Sequence, residues 1–445
     1  MGRKMVKPCC AIVILGASGD LAKRKLIPAL SHLYGTGLID KVGLIVGTGR
    51  TPFTHEQFRE RFDVSSSFAG MLHYHQGIPG IRDFINRNAE VDEVVFFMAL
   101  PPSVYAKETR ELYDEGFRDK ARIIIEKPFG YDYESAKVLN DELHQYYKES
   151  QIFRIDHYLA KEAVQNILIF RFSNSLFYPI WNSQHIESIQ ISGFEEDGVG
   201  GRAGYFDRAG VIRDMVQNHL TQLLCLATME APVSLDPEDI RAQKINVLKS
   251  IRVADCCRFQ YKGYREEKGV SSDSNTETYA EIKLFIDNYR WTGCPIYIRS
   301  GKALNRKGTE IGFRLKSVPR LLFNKSGEIE PNKIVFKIQP AEGIIVDIVN
   351  KVPGMDVRIT STNMAFCYRD SFIERIPEAY ERLLLDALRG DRTLFVSSDE
   401  AETSWKVFEP ILDKGPVGSY EPGSDPHPCM GEHWINFEKY KGLCE

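Results

Sequence analysis

Within Arg154-Ile155-Asp156-His157-Tyr158-Leu159-Ala160-Lys161-Glu162, a carboxylate, an imidazole, a phenol and an ammonium follow one another. The apolar run Ile152 to Ile155 reads as a strand and Ala163 to Phe172 as a helix. These groups therefore fall where a strand hands over to a helix N-terminus, whose N–H groups favour an anion. His157 and Lys161 add donors and Tyr158 a hydroxyl, a set suited to a phosphate. Asp156 has no cationic neighbour in sequence, and His219, in Gln217-Asn218-His219, is its expected partner. An imidazole titrates near 6.5, so such a pair could take a hydroxyl proton while hydride leaves the same carbon. Asp156 would fix the tautomer and stabilise the imidazolium.

His219 lies in a stretch read as one helix from Arg208 to Met229, whose apolar residues Val211, Ile212, Met215, Val216 and Leu220 recur at helical spacing. A histidine there is more often a satisfied core residue than a catalyst. Asp214, Asn218 and the expected Asp156 carboxylate, taken together, favour the base. Glu195 precedes the glycine-rich Gly198-Val199-Gly200-Gly201. It and Asp214 could accept hydrogen bonds from substrate hydroxyls, although Glu195 equally suits a solvated loop beside Glu196 and Asp197. His427, Cys429 and His433 lack the paired spacing of a zinc site, so no metal is expected.

The elements that must position these groups begin with the apolar run Cys9 to Leu15. Gly16-Ala17-Ser18-Gly19-Asp20-Leu21-Ala22 follows, then a helix to Tyr34. Strand, glycine turn and helix are the start of a dinucleotide-binding unit. The next strand, from Val42, ends in Gly47-Thr48-Gly49-Arg50 with no acid to bind a ribose hydroxyl. Arg50 instead suits a 2′-phosphate, so the cofactor reads as NADP. Strands at Glu93 to Leu100 and Arg122 to Ile125 flank a helix at Val104 to Glu115. Pro101, Tyr105 and Lys127 thus fall at the ligand-binding carboxyl ends of a parallel sheet. Lys127-Pro128 suits a cis bond.

Beyond Phe172 the pattern turns to strands with scattered helices. Ala280, Ile282, Leu284 and Ile286 alternate with Tyr279, Glu281, Lys283 and Asp287, as in a sheet with one buried and one wetter face. The expected fold is an α/β Rossmann-like domain over 1–155, followed by an α+β domain over 156–445 with a large, mostly antiparallel sheet. The tail after Gly415 reads as loop. With 445 residues, two domains are the default. A net charge of −4 argues against nucleic acid, and no apolar run is long enough for a membrane. Nine scattered cysteines suggest reduced thiols and a cytoplasmic location rather than a disulfide framework.

The strings GASGDLAKRKLIPA, EKPFG, RIDHYLAKE and RDMVQNHLTQ, in this order, resemble the glucose-6-phosphate dehydrogenase family over nearly the whole chain. The resemblance implies oxidation of glucose 6-phosphate at C1 with NADP, the first oxidative step of the pentose phosphate pathway. It assigns His219, Asp156 and Lys127 to catalysis. It adds Lys302 and Gln339, and more weakly Lys307, to the sugar-phosphate site; spacing alone would leave these on the surface. It also implies a homodimer or homotetramer built through the sheet. Ala160 stands where the family usually has glycine, and Arg50 to Val91 looks compressed to one shortened helical excursion. A second nucleotide site known in vertebrate-type members would fall at Gly308, Gly312, Ile345 and Asp347, where the holding charge is missing. A catalytically silent NADP sensor and an oxidoreductase of another sugar are the competing readings.

Overall fold

A computed structural model describes residues 10–319, 330–412, 418–426, 429–430 and 434–444. The chain forms two compact units that are not consecutive stretches. The first runs to Ala160 and regains Val233–Arg241 and Pro377–Glu402; the second holds Lys161–Pro232, Ala242–Ile376 and the chain from Thr403. The first break between the units falls after Ala160. The returning Phe395–Val396 pairs antiparallel with Arg154 and Ile155. Arg122 donates to the carbonyls of Ala387 and Leu388 at the end of helix Ala379–Arg389.

Six parallel strands build the first unit: β1 Cys10–Leu15, β2 Val42–Gly49, β3 Leu72–Gln76, β4 Glu93–Met98, β5 Ala121–Ile125 and β6 Ile152–Ile155. With Phe395–Val396 at one edge, their spatial order is β6-β5-β4-β1-β2-β3. β1 is buried along its whole length, as expected of a central strand covered on both faces. The order reverses direction at β1, and ligands of such sheets bind beyond the carboxyl ends at that switch point. Between Arg50 and Val91 the structure has helices His55–Arg59, Ser66–Ala69 and Ile81–Asn88 besides β3.

The second unit is a nine-stranded sheet. Its strands are β7 Ile186–Phe194, β8 Ile251–Tyr261, β9 Tyr279–Ile286, β10 Ile296–Gly301, β11 Gly308–Leu315, β12 Lys333–Gln339, β13 Gly343–Lys351, β14 Ile359–Cys367 and the short Gly418–Tyr420. From the β14 edge the order is β14-β13-β12-β11-β7-β10-β9-β8, then Gly418–Tyr420. Among the described strands of this sheet, β7 with β10 and β8 with Gly418–Tyr420 pair in parallel and the other neighbours antiparallel.

The C-terminal segment, expected as loop, is a strap that crosses this sheet. Glu281 of β9 accepts the N–H groups of Cys429 and Met430. Arg299 of β10 stacks on Trp434, and Gln190 of β7 accepts Ile435 N–H. A Cβ on Gly312 of β11 would meet Ile435 at 2.5 Å, so only glycine leaves room for the strap. Lys337 of β12 donates to the carbonyls of Tyr440 and Leu443, and Asp347 of β13 accepts the Tyr440 hydroxyl at 2.8 Å. Both ends are pinned, Cys429 to Cys257 of β8 and Cys444 to Cys367 of β14. The expectation of reduced thiols alone is overturned. The paired cysteines lie 172 and 77 residues apart, and only the path of the strap brings them together. The β9 face expected to be wetter is likewise covered at Tyr279 and Glu281.

Candidate active site

At the carboxyl edge of the first sheet, Thr48, Leu15, Met98, Ile125 and Arg154 stand in register across β2, β1, β4, β5 and β6. The residues just past this row carry the chemistry. Gly16 has φ +79°, and a Cβ there would lie 2.2 Å from the Ala99 carbonyl oxygen, so no other residue fits. Its N–H and that of Ala17 bond the Thr48 carbonyl, while Gly19 closes back onto Gly16. Ala17 is buried, and Ser18, Gly19, Asp20 and Leu21 are partly or fully exposed on the turn. Asp20 pairs with Arg24 at 2.7 Å. Arg50 is exposed past β2, its guanidinium without a hydrogen-bond or ion-pair partner among the described residues.

Pro101 is exposed beyond β4, and Lys127 follows β5 on a cis peptide to Pro128. Tyr105 is placed differently from the expected ligand-facing role. It is wholly buried in the core, and its hydroxyl donates to the Glu126 carbonyl at 3.0 Å. Tyr105 thus props the strand end from below. Burial pushes the Glu126 carboxyl up to about 7, while the Tyr380 hydroxyl and Lys127 pull it down. Asp156 is buried directly past β6 and accepts the Tyr158 N–H at 3.0 Å. His157 packs edge-on against Tyr158, with ring centroids 5.1 Å apart. Arg154, whose charge the sequence leaves unexplained, is buried and holds the strand by bonding Glu149 and Asn140. Ala160 does not adopt a positive φ, so replacing glycine there costs no strain.

In the second unit, Lys161 caps the helix Glu162–Ser173. One N–H of that terminus, from Ala163, is already taken by Glu342 at 3.1 Å. Burial raises the Glu342 carboxyl, and the Ala163 N–H and Lys161 oppose the rise. Sequence reading missed Glu342, which lies 179 residues from Ala163.

The expected long helix around His219 is broken. Gly210 turns at φ 71°, and the Glu277 carboxylate fills the space a Cβ would need. The Glu277 carbonyl accepts the Val211 N–H and its carboxylate the Ile212 N–H, at the start of a π-helical stretch, Ile212–Leu220, that carries Asp214 and His219, both buried. The His219 N–H donates to the Asn218 side chain at 2.6 Å. Lys302 is fully buried, against expectation from spacing, with its ammonium 2.8 Å from Glu195 and 3.7 Å from Asp214. Glu195, Asp214 and Lys302 therefore form one cluster. Lys307 is exposed and stands apart from it, and Gln339 bonds Thr309 at 3.2 Å. His427 and His433 lie outside the described residues.

A glycine turn at the switch point of a parallel sheet, followed by a unit built on a large mixed sheet, defines a dinucleotide-dependent oxidoreductase. Residues 13–166 match the family described as glucose-6-phosphate dehydrogenase, NAD binding domain, and residues 168–437 its C-terminal domain. The chloroplastic glucose-6-phosphate 1-dehydrogenase of Nicotiana tabacum is 39% identical, over 96% of this chain and 80% of that protein. The Chlamydia muridarum enzyme is 40% identical, over 92% and 90%. A solved glucose-6-phosphate dehydrogenase in complex with its substrate superposes with TM-score 0.86 at 36% identity, over 95% of this chain and 96% of that one. The chain belongs to the glucose-6-phosphate dehydrogenase family.

Proposed function

We propose that this protein oxidises glucose 6-phosphate at C1 to the 6-phosphogluconolactone, passing hydride to NADP, as the first oxidative step of the pentose phosphate pathway. The observation that carries this reading is the likeness, over 95% of the chain, to the enzyme solved with glucose-6-phosphate. The Gly16 turn, which a Cβ would fill, and the unpartnered Arg50 fit a dinucleotide with a 2′-phosphate. When bound, that nucleotide supplies the hydride acceptor. The chain supplies the rest. His219 takes the proton of the C1 hydroxyl, and Asp156 fixes the imidazole tautomer. Lys127 orients the sugar at the strand edge. His157, Tyr158 and Lys161 hold the phosphate. Glu195 and Asp214 accept sugar hydroxyls, with Lys302 neutralising their charge, and Lys307 and Gln339 add further contacts to the sugar phosphate.

A homodimer or homotetramer through the sheet unit is proposed, supported by Met355, Met364 and Ile373 exposed at and near the β14 edge. Among the described residues no helix is long and apolar enough to cross a membrane. A cytoplasmic location agrees with a cytoplasmic relative in Arabidopsis thaliana. The two disulfides run against a reducing compartment, and a thiol count on freshly isolated protein bears on the point.

Comparing kcat/KM for glucose 6-phosphate, glucose and a second hexose phosphate tests the substrate. A preference for glucose 6-phosphate supports the reading. Equal use of free glucose would favour the oxidoreductase of another sugar, and no turnover at all would favour the silent sensor.

A further inference from the structure

Beside the glycine turn stands a second arginine that the site as described does not use. Arg61 follows the helix His55–Arg59, and its Nη2 donates to the Ser18 carbonyl at 3.0 Å. Its guanidinium lies 5.0 Å from the centre of the Phe53 ring, which in turn packs edge-on against Tyr74. The Tyr74 hydroxyl donates to the Thr51 carbonyl, one residue past Arg50. Arg61 is thereby held by a backbone carbonyl and an aromatic ring.

No carboxylate pairs with Arg61 among the described residues, and its buried Nε has no hydrogen-bond partner there. A guanidinium without a carboxylate partner is costly to desolvate, and an anionic group bound beside the turn would supply the missing charge. Ser18 connects this arginine to Arg50. While its carbonyl takes Arg61, its hydroxyl oxygen lies 3.7 Å from the point where a Cβ on Gly49 would sit, next to Arg50. Arg50 in turn is fixed by its backbone, its carbonyl accepting from Gln76 at 3.1 Å. Glu108 is the acid that feels Arg50 from the neighbouring helix. The Arg61 guanidinium on one side and the Gly49-Arg50 backbone on the other therefore flank one serine of the turn. Planar, always charged forks of this kind match the oxygens of a phosphomonoester, which a dinucleotide without a 2′-phosphate does not offer.

We propose that Arg61 is a second selector of the adenosine 2′-phosphate, forming with Arg50 a two-guanidinium clamp about Ser18. The proposal rests on the NADP reading above and deepens it. A purely supporting role, in which Arg61 only holds the Ser18 carbonyl in place, is the competing account. It predicts equal damage to nucleotides with and without the 2′-phosphate.

Titration calorimetry on the full-length protein separates these, with adenosine 2′,5′-bisphosphate and adenosine 5′-diphosphate as probes. Arg61→Gln should weaken the bisphosphate about tenfold, the size of one charge-assisted contact, and leave the diphosphate within about twofold. Arg61→Lys, which keeps the charge and loses the fork, should fall between wild type and Gln. It also serves as the folded control if the Gln variant is unstable. Equal losses for both probes would overturn the proposal in favour of loop support, and no loss would overturn it outright. If the wild type itself does not distinguish the probes, the NADP reading fails and the clamp with it. If it does, and Arg50→Ala abolishes the preference while Arg61→Gln keeps it, only the role of Arg61 fails.

Discussion

Lys127 and Asp156 leave two adjacent parallel strands at the same edge, each two residues beyond the registered pair Ile125 and Arg154. An ammonium and a carboxylate so placed share the edge where the switch-point rule puts the ligand. Asp156→Asn keeps the shape and removes the charge that would favour an imidazolium. Turnover should fall at least ~10²-fold, with KM for glucose 6-phosphate changed only severalfold. A large rise in KM with kcat intact would move Asp156 from the chemistry to substrate binding.

Lys161 and Glu342 sit at the same helix terminus, and the carboxylate already holds one of its N–H groups. The terminus alone is therefore a poorer anion site than sequence suggests, which places more of the phosphate grip on the lysine. Lys161→Ala should raise KM for glucose 6-phosphate by roughly tenfold or more, while the weak reaction with free glucose barely changes. Parallel losses with both sugars would mean that Lys161 serves the fold or the chemistry.

The strap explains why a second nucleotide should not bind the sheet unit. Lysines stand on the neighbouring β12, but Lys333 bonds Glu330 and Lys337 bonds strap carbonyls. Calorimetry should give one NADP per chain. Among the described residues four cysteines are disulfide-bonded and four others are not, so at least four but fewer than nine thiols should titrate in the unreduced, denatured protein. Reduction with a dithiol should then lower amide-exchange protection of residues 434–444 by about tenfold or more, leaving β7 unchanged, because local opening no longer has pinned ends. Two nucleotides per chain, or nine titrating thiols, would contradict this account of the strap.

The first sheet was legible because its signals are local. Buried parallel strands are continuous apolar runs, and the Gly16 turn follows one directly. The second unit was less so. Lys302 reads as a surface lysine until Glu195, 107 residues away, is folded against it. The break before His219 is invisible to helical periodicity, since it depends on Glu277 reaching Gly210 across 67 positions of chain that carry no shared pattern. The strap lacks any apolar period and takes its order from the sheet beneath. Arg61 and Glu342 escaped notice for the same reason: nothing in sequence links either to its partner.

Glu281 links the strap to pH. Burial pushes its carboxyl up to about 7, against the pull of the Cys429 and Met430 N–H groups. A carboxyl raised on folding contributes stability that is complete below its ordinary 4.5 and is lost as pH rises through about 7. Glu281→Gln should therefore flatten the loss of unfolding free energy between about pH 5 and pH 8, by up to roughly 3 kcal/mol. Denaturant unfolding at both pH values checks this. Parallel profiles for the two proteins would show that Glu281 does not titrate in that window.

The most direct test of the central claim is a single assay on wild type and His219→Asn, with glucose 6-phosphate and NADP, following reduced nicotinamide absorbance and the lactone together. The account predicts one lactone for each reduced nucleotide in the wild type. In the variant it predicts a rate lower by at least ~10²-fold with glucose 6-phosphate still bound, because a base acts in the transition state. Absence of lactone in the wild type, or a variant within severalfold of it, would contradict the assignment.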